Sequence, residues 1–179
     1  IEKMVERRFS RMDVNGDGVE DFIVSAFGIE NGGTSAGGAY VVFGRVSGFP
    51  ANLDLSTLNG VNGFRIDGEV GTLATAGVTR NAMAAAGDVN GDGVDDLIIG
   101  AQGAAPNGGS SGAAWVLFGK NTAVAGAFAA SVSLGGLNGT TGFQMNGEAV
   151  GNQGGATVAG IGDLNGDGNT TDPDEGFMR

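Results

Sequence analysis

Carboxylate and amide side chains recur at alternate positions in two short stretches of the sequence. Residues 13–21 read DVNGDGVED and residues 88–96 read DVNGDGVDD. Each stretch has Asp, Asn and Asp at positions 1, 3 and 5, and a glycine at position 6 that permits a sharp turn. Side-chain oxygens at alternate positions of such a turn converge on one point, and Ca²⁺ prefers oxygen ligands. The two stretches therefore predict a pair of calcium-binding loops.

Each predicted loop offers five oxygen ligands, from positions 1, 3, 5, 7 and 9. Position 7 would contribute its main-chain carbonyl, and the aspartate at position 9 would close the shell. In an EF-hand a Glu at position 12 closes the shell, but position 12 here is Val24 or Ile99, inside an apolar run. Glu20 and Asp95, at position 8, are expected to face solvent. The predicted ligands are Asp13, Asn15, Asp17, Val19 and Asp21 in the first loop, and Asp88, Asn90, Asp92, Val94 and Asp96 in the second.

A metal-free turn is the alternative explanation, since Asn-Gly and Asp-Gly form tight hairpin turns in many proteins. A hairpin needs only two such residues, however, and the pattern occurs three times in one register. Of the 20 acidic residues, 13 lie in or beside these three loops, and charges this close repel unless a cation offsets them. We therefore expect Ca²⁺ as the cofactor of the first two loops.

The third copy begins at Asp163 and departs from the pattern. Asn165 and Asp167 occupy positions 3 and 5, but position 9 is Thr171. Asp174, at position 12, would close the loop as in an EF-hand, whereas Asp172 would close it after a bulge. Both closures remain open, and Asp174 is taken as the fourth ligand of this third predicted site.

The composition excludes several classes of function. A net charge of −11 disfavours nucleic acid and anionic membrane surfaces as partners. The chain has no His and no Cys, which removes Ser-His-Asp and Cys-His catalysis, disulfides and the usual zinc sites. There is also no apolar run of about 18 residues, so no membrane span is expected. Carboxylate and carbonyl oxygens remain as ligands, and they suit a hard cation.

The acidic loops belong to a longer internal repeat. Asp13, Asp88 and Asp163 are 75 residues apart, as are Phe43-Gly44 and Phe118-Gly119, and LNGVNGFRIDGE (58–69) matches LNGTTGFQMNGE (137–148) at an offset of 79. A compensating change in loop length is typical of a structural module. The predicted organisation is one repeat region over 1–179, with a first unit at about 1–80, a second at 81–155 and the start of a third at 156–179.

Each unit is predicted to contain four short antiparallel strands joined by Gly-rich turns. In the second unit three strands are expected at 96–101, 112–118 and 142–146, with a long loop at 119–142, and 156–161 is expected to be a strand that leads into the next acidic loop. A four-stranded sheet of this size cannot bury both faces alone, and stacked sheets of this kind form β-propellers. The predicted fold class is all-β, with propeller blades in an open or incomplete propeller, since two units fall short of the four to eight blades of a closed ring.

The motifs GDVNGDGVDDLIIGA, GAAWVLFG and GFxxxGE together resemble the FG-GAP repeat. This repeat is the blade unit of the integrin α-subunit β-propeller and of many bacterial secreted proteins. The resemblance implies Ca²⁺ bound through positions 1, 3, 5, 7 and 9 of the loops. It also implies an extracellular module for interaction or adhesion, and not an enzyme.

The expected function is that of a secreted or cell-surface calcium-binding module with a structural, adhesive or protein-interaction role. Its expected partners are other copies of itself, in a ring or a head-to-tail filament, or the rest of a longer propeller, together with an extracellular protein or glycan. The alternative is part of a secreted polysaccharide-active enzyme that uses carboxylates. Glu69 and Glu148 are its candidate residues, but both units repeat this position, which favours a structural role.

Overall fold

The computed structural model describes residues 12–26, 28–31, 34–35, 37–68 and 82–160. These residues form β-strands, one short helix and two 3-10 turns, at Leu55–Thr57 and Leu134–Gly136. In chain order the other elements are β1 (Phe22–Ala26), β2 (Glu30–Asn31), β3 (Thr34–Ser35), β4 (Gly38–Val42), β5 (Gly63–Asp67), β6 (Met83–Gly87), β7 (Asp96–Ala101), β8 (Ala113–Leu117), α1 (Thr122–Ala125), β9 (Ser131–Ser133) and β10 (Gly142–Asn146). The all-β prediction is confirmed.

The strands form two four-stranded sheets and a small hairpin of β2 and β3. The first sheet has the order β1-β4-β5-β9, and the second has the order β6-β7-β8-β10. Their registers match: Ile23, Val41 and Phe64 are aligned across the first sheet, as Ile98, Val116 and Phe143 are across the second. The sequence repeat is therefore also a structural repeat.

The second sheet is fully antiparallel, as predicted, but the first sheet is not. Its fourth strand, β9, comes from the second predicted unit and pairs in parallel with β5. The segment 119–142 was expected to be a loop, yet it contains α1, β9 and a 3-10 turn. Residues 156–160 were expected to begin a strand and do not form one. A strand needs a partner for its backbone groups, and β5 provides one to β9.

The core lies between the two sheets. The first sheet contributes Val41, Phe64 and Ile66, and the second contributes Leu97 and Trp115, all with almost no exposed surface. Because the sheets cover each other, the apolar runs of β7 and β8 need not alternate with polar residues. The two sheets thus stack like neighbouring propeller blades, and the described residues form no closed ring.

No helix among the described residues has the length and apolar character needed to cross a membrane.

Candidate metal-binding loops

Each acidic loop leads directly into a strand of its sheet. The first ends at Asp21, just before β1, and the second joins the end of β6 to the first residue of β7, Asp96. Glycines with positive φ allow the chain to turn sharply, at Gly16 and Gly18 in the first loop and at Gly91 and Gly93 in the second. The strands therefore hold both ends of each loop, while the glycines shape its middle.

In the second loop the side chains at positions 1 and 3 converge on one backbone N–H. Asp88 Oδ1 accepts from the N–H of Asp92 at 3.0 Å, and Asn90 Oδ1 accepts from the same N–H at 2.9 Å. Asp88 also accepts from the N–H groups of Gly91 at 2.8 Å and Gly93 at 2.7 Å. The loop backbone thus brings the oxygens of positions 1 and 3 to the same side of the turn.

Asp92, at position 5, completes this network. Its Oδ1 accepts from the N–H of Val94 at 2.9 Å, and its Oδ2 accepts from the side-chain amide of Asn90 at 2.9 Å. A carboxylate has about four lone-pair sites, so these bonds leave acceptor capacity on Asp92. The three side chains at positions 1, 3 and 5 are therefore tied together before any ion is considered.

The first loop repeats this arrangement 75 residues earlier in the sequence. Position 1 again accepts from the backbone at positions 5 and 6, position 3 accepts from the backbone at position 5, and position 5 accepts from the backbone at position 7. The bonds are Asp17 N to Asp13 Oδ1 at 3.1 Å, Gly18 N to Asp13 Oδ2 at 2.8 Å, Asp17 N to Asn15 Oδ1 at 2.9 Å, Asn15 Nδ2 to Asp17 Oδ2 at 3.0 Å and Val19 N to Asp17 Oδ1 at 2.8 Å. Two loops of one geometry follow from two copies of one sequence.

The aspartate at position 9 connects its loop to the Phe-Gly pair that follows the next long strand. Asp96 is fully buried, and its two oxygens accept from the N–H groups of Val89 and Gly119, each at 2.8 Å. Asp21 does the same in the first unit, with Val14 at 2.9 Å and Gly44 at 2.8 Å. Sequence reasoning assigned these aspartates only as metal ligands, whereas the structure also gives them a role in joining two segments of each unit.

The glycine of each Phe-Gly pair is a structural residue that the sequence reasoning did not assign. A Cβ at Gly119 would overlap the carbonyl oxygen of Asp95, and one at Gly44 would overlap that of Glu20. Only glycine lets the backbone come close enough for its N–H to reach the buried aspartate. The 75-residue recurrence of Phe-Gly was the signal that could have identified this role.

Burial raises the pKa of Asp96 to about 7, although the N–H groups of Gly119 and Val89 oppose the rise and Asp92 and Asp88 add to it. Burial likewise raises the pKa of Asp21 to about 7, in the same kind of surroundings. Desolvation disfavours the charged carboxylate, and the negative side chains nearby disfavour it further. A cation in the loop would offset both effects.

The two loops also contact each other through position 8 of the second loop. Asp95 is partly buried, and its Oδ2 accepts from the N–H of Asp13 at 2.9 Å. The expectation that Asp95 faces solvent was therefore wrong, whereas Glu20 is exposed as expected. The difference arises because another loop packs against Asp95.

The donor chemistry of the loops fits a hard cation, but the acidic side chains do not form a finished cage. In the described ranges, no three acidic side chains are grouped as they would be around a metal ion. Asp96 and Asp21 direct both oxygens to backbone N–H groups. The ten ligands assigned to the first two loops, including the carbonyls of Val19 and Val94, remain predictions.

The remaining sequence-predicted residues divide into two groups. Glu148, one of the two candidate residues of the enzyme alternative, is exposed. The others lie outside the described residues, and they are Asp163, Asn165, Asp167 and Asp174 of the third loop, together with Glu69.

Comparison with known proteins identifies the repeat. Residues 82–117 match the family model of the FG-GAP repeat, a range that contains β6, the second acidic loop, β7 and β8. No curated protein matches the chain. The matched range includes Asp96 and ends two residues before the glycine to which Asp96 is bonded. From the family match and the two sheets of one register, the chain is an FG-GAP repeat protein.

Proposed function

We propose that this chain is a calcium-stabilised interaction module that works outside the cell. The FG-GAP match supports an interaction role, because such repeats build propeller-like binding surfaces and are typically extracellular. The acidic composition, with a net charge of −11, is compatible with cation binding. In this proposal the loops have a structural role, and no residue is assigned to catalysis.

The observation that carries the calcium proposal is the convergence of oxygens at positions 1 and 3. In both loops the two side-chain oxygens accept from a single N–H, that of Asp17 or Asp92. Hydrogen bonds from the loop backbone fix the direction of these oxygens before an ion binds, which lowers the entropic cost of binding. In each loop the side chain at position 5 completes a compact set of oxygen donors.

A bound Ca²⁺ would supply positive charge to a loop that contains three aspartates. Asp13, Asn15 and Asp17 would hold it in the first loop, and Asp88, Asn90 and Asp92 in the second, with the carbonyls of Val19 and Val94 and the aspartates Asp21 and Asp96 as the further predicted ligands. Sites with dissociation constants of about 10⁻⁴–10⁻³ M are filled in extracellular fluid, so high affinity is not required. The ion would stabilise the native chain by mass action.

Calorimetric titration of the chain with Ca²⁺ tests this proposal. We expect the variants Asp13→Ala and Asp88→Ala each to remove one site from the stoichiometry and to lower the rise in melting temperature that Ca²⁺ produces. Asp54→Ala is the matched control, since Asp54 is an exposed aspartate that caps a 3-10 turn away from the loops. The proposal is wrong if the melting temperature of the unmodified chain is the same in chelator and in millimolar Ca²⁺.

We further propose that the partners are copies of the same chain or the rest of a longer propeller, together with an extracellular protein or glycan. The stacking of one sheet on the other supports this part of the proposal, because a stacked repeat presents at its end the kind of surface that it buries inside. Surface plasmon resonance between immobilised and soluble copies of the chain gives a direct test.

A further inference from the structure

The contact between the two units serves as a template for a contact between two chains. β9 of the second unit lies along β5, which would otherwise be the edge of the first sheet. Arg65 donates its N–H to the carbonyl of Ala130 at 2.9 Å, and Phe128 donates its N–H to the carbonyl of Gly60 at 3.2 Å. The second unit thus adds a parallel strand to the first.

An aromatic side chain anchors this strand. The ring of Phe128 stacks on Phe64, with 4.4 Å between centroids and 14° between planes, and it contacts Phe43 at 5.9 Å. Lys120 Nζ lies 4.8 Å from the centroid of the Phe128 ring. Such stacked rings contribute beyond the area that they bury, and the cation adds a favourable contact with the ring.

The second unit presents the same receiving surface. Phe118 and Phe143 lie edge to face at 5.9 Å and 60°, as Phe43 and Phe64 do at 5.9 Å and 64°. In the described part of the chain, however, β10 has a neighbouring strand only on the side of β8. We define the acceptor surface as β10 together with Phe118.

Exposure shows what a covering strand changes. Met145 of β10 is 38% exposed, whereas its repeat equivalent in β5, Ile66, is 0% exposed. A partly exposed apolar side chain beside an open strand edge is a feature that proteins normally cover. The acceptor surface therefore lacks the cover that β5 receives from β9.

The first unit carries the matching donor. Phe49 is the repeat equivalent of Phe128, since GFPANLDLSTLNG (48–60) aligns with AFAASVSLGGLNG (127–139). Arg45 lies 4.9 Å from the centroid of the Phe49 ring, as Lys120 lies over Phe128. Phe49 is nevertheless 44% exposed. We define the donor segment as residues 49–54.

The backbone of the donor segment ends in the same way as β9. Asp54 has φ −82° and ψ 115°, close to the values of −87° and 128° at Ser133, and a 3-10 turn follows each residue. The end of the segment is thus already extended and has little conformational entropy left to lose when it pairs with an edge. Its shape and its anchor residue both suit the acceptor surface.

We propose that the donor segment of a second copy of this chain adds in parallel to β10, with Phe49 of that copy stacked on Phe143. The contact is strand addition with an aromatic anchor, and it joins two different surfaces, so it arranges copies head to tail. It specifies one partner for the interaction role proposed above, and it uses no residue of the acidic loops.

Sedimentation velocity on the 179-residue chain across a concentration series tests this inference. We expect the average mass to rise with concentration above that of a single chain of 17.7 kDa. Phe49→Ser disables the donor, and Met145→Asp disables the acceptor. Each variant alone is expected to sediment as a monomer, whereas an equimolar mixture should double the mass and stop at dimers, because one intact donor then meets one intact acceptor.

Val124→Ser is the matched control, since Val124 is an apolar side chain with 87% exposure outside both surfaces, and it should associate like the unmodified chain. The restored dimer also shows that both variants are folded, and circular dichroism checks each one separately. The inference is overturned if the unmodified chain is a monomer up to millimolar concentration, or if the two variants fail to restore each other. Calcium binding is measured independently, so either result leaves that proposal standing.

Discussion

Asp13 and Asp95, 82 residues apart in the sequence, exchange two hydrogen bonds. The N–H of Asp13 donates to Asp95 Oδ2 at 2.9 Å, and the N–H of Asp95 donates to the carbonyl of Asp13 at 3.2 Å. This pair joins position 1 of the first acidic loop to position 8 of the second. The two loops are therefore neighbours, and a change in either one affects how the sheets are held together.

The Asp95 side chain is expected to stabilise this contact between loops. Replacing it with alanine leaves the N–H of Asp13 without its acceptor, and we expect Asp95→Ala to lower the free energy of unfolding by about 1–2 kcal/mol in chelator. Urea denaturation provides the measurement. Glu20→Ala is the control at the equivalent, exposed position, and an equal loss in both variants would contradict the prediction.

Loss of the buried carboxyl at position 9 is expected to have a larger effect. Asp96→Ala leaves the N–H groups of Val89 and Gly119 without acceptors in a buried place, at a cost of about 2–4 kcal/mol in unfolding free energy. Asp92→Ala, at the exposed position 5, should cost less when both are compared in chelator. Urea titrations of the two variants decide this, and equal midpoints would count against the role assigned to Asp96.

The pKa values of Asp21 and Asp96 predict an unusual pH dependence in the absence of Ca²⁺. Both are raised to about 7 from an ordinary value of 3.8, so between these values the native chain binds more protons than the unfolded chain. Stability should therefore fall as the pH rises from 3.8 to about 7. Ca²⁺ favours ionised carboxylates and should remove this fall.

The measurement for this pH dependence is urea unfolding in chelator at several pH values. Fluorescence of Trp115, the single tryptophan and a fully buried one, reports the unfolding. Asp96→Asn, which cannot titrate, should show a shallower decline than the unmodified chain. Stability that increases with pH over this range in chelator would contradict the prediction.

The glycine of the second Phe-Gly pair is expected to tolerate no side chain. In Gly119→Ala the new Cβ would overlap the carbonyl oxygen of Asp95, so the backbone must move and the bond to Asp96 is lost. We expect a loss of about 3 kcal/mol or more in unfolding free energy. Gly136→Ala meets no atom within 4 Å and should be close to neutral. Thermal melts of the pair provide the test, and similar melting temperatures would refute it.

Two repeat-equivalent phenylalanines are expected to differ in their contribution to stability. Phe128 stacks between the units, so Phe128→Ala should cost about 3 kcal/mol through lost packing. Phe49 is largely exposed and contacts Phe22 at 5.8 Å, so Phe49→Ala should cost less than about 1 kcal/mol at monomer concentrations. Chemical denaturation at low protein concentration checks this, and equal costs would contradict the interpretation of the unit interface.

The local features of the fold could be predicted from the order of residues. Alternating oxygen-bearing side chains, with glycines between them, define each acidic loop within nine residues, and both described loops share one hydrogen-bond network. The apolar runs predicted β7 and β10 with the bounds that the structure has, and the 75-residue spacing predicted two equivalent sheets. These features depend on residues that are close together in the chain, so their types and spacing are informative.

Contacts between distant segments were decided by the tertiary structure. The hydrogen bond from Asp13 to Asp95, the addition of β9 to β5, and the bond of Gly119 to buried Asp96 all join segments from different parts of the chain. Local pattern does not specify them, because each arises only when one sheet stacks on the other and brings two backbones within hydrogen-bonding distance. The sequence by itself determined the composition of the loops and the repeat, while sheet stacking decided which aspartates are buried and which strand edge remains open.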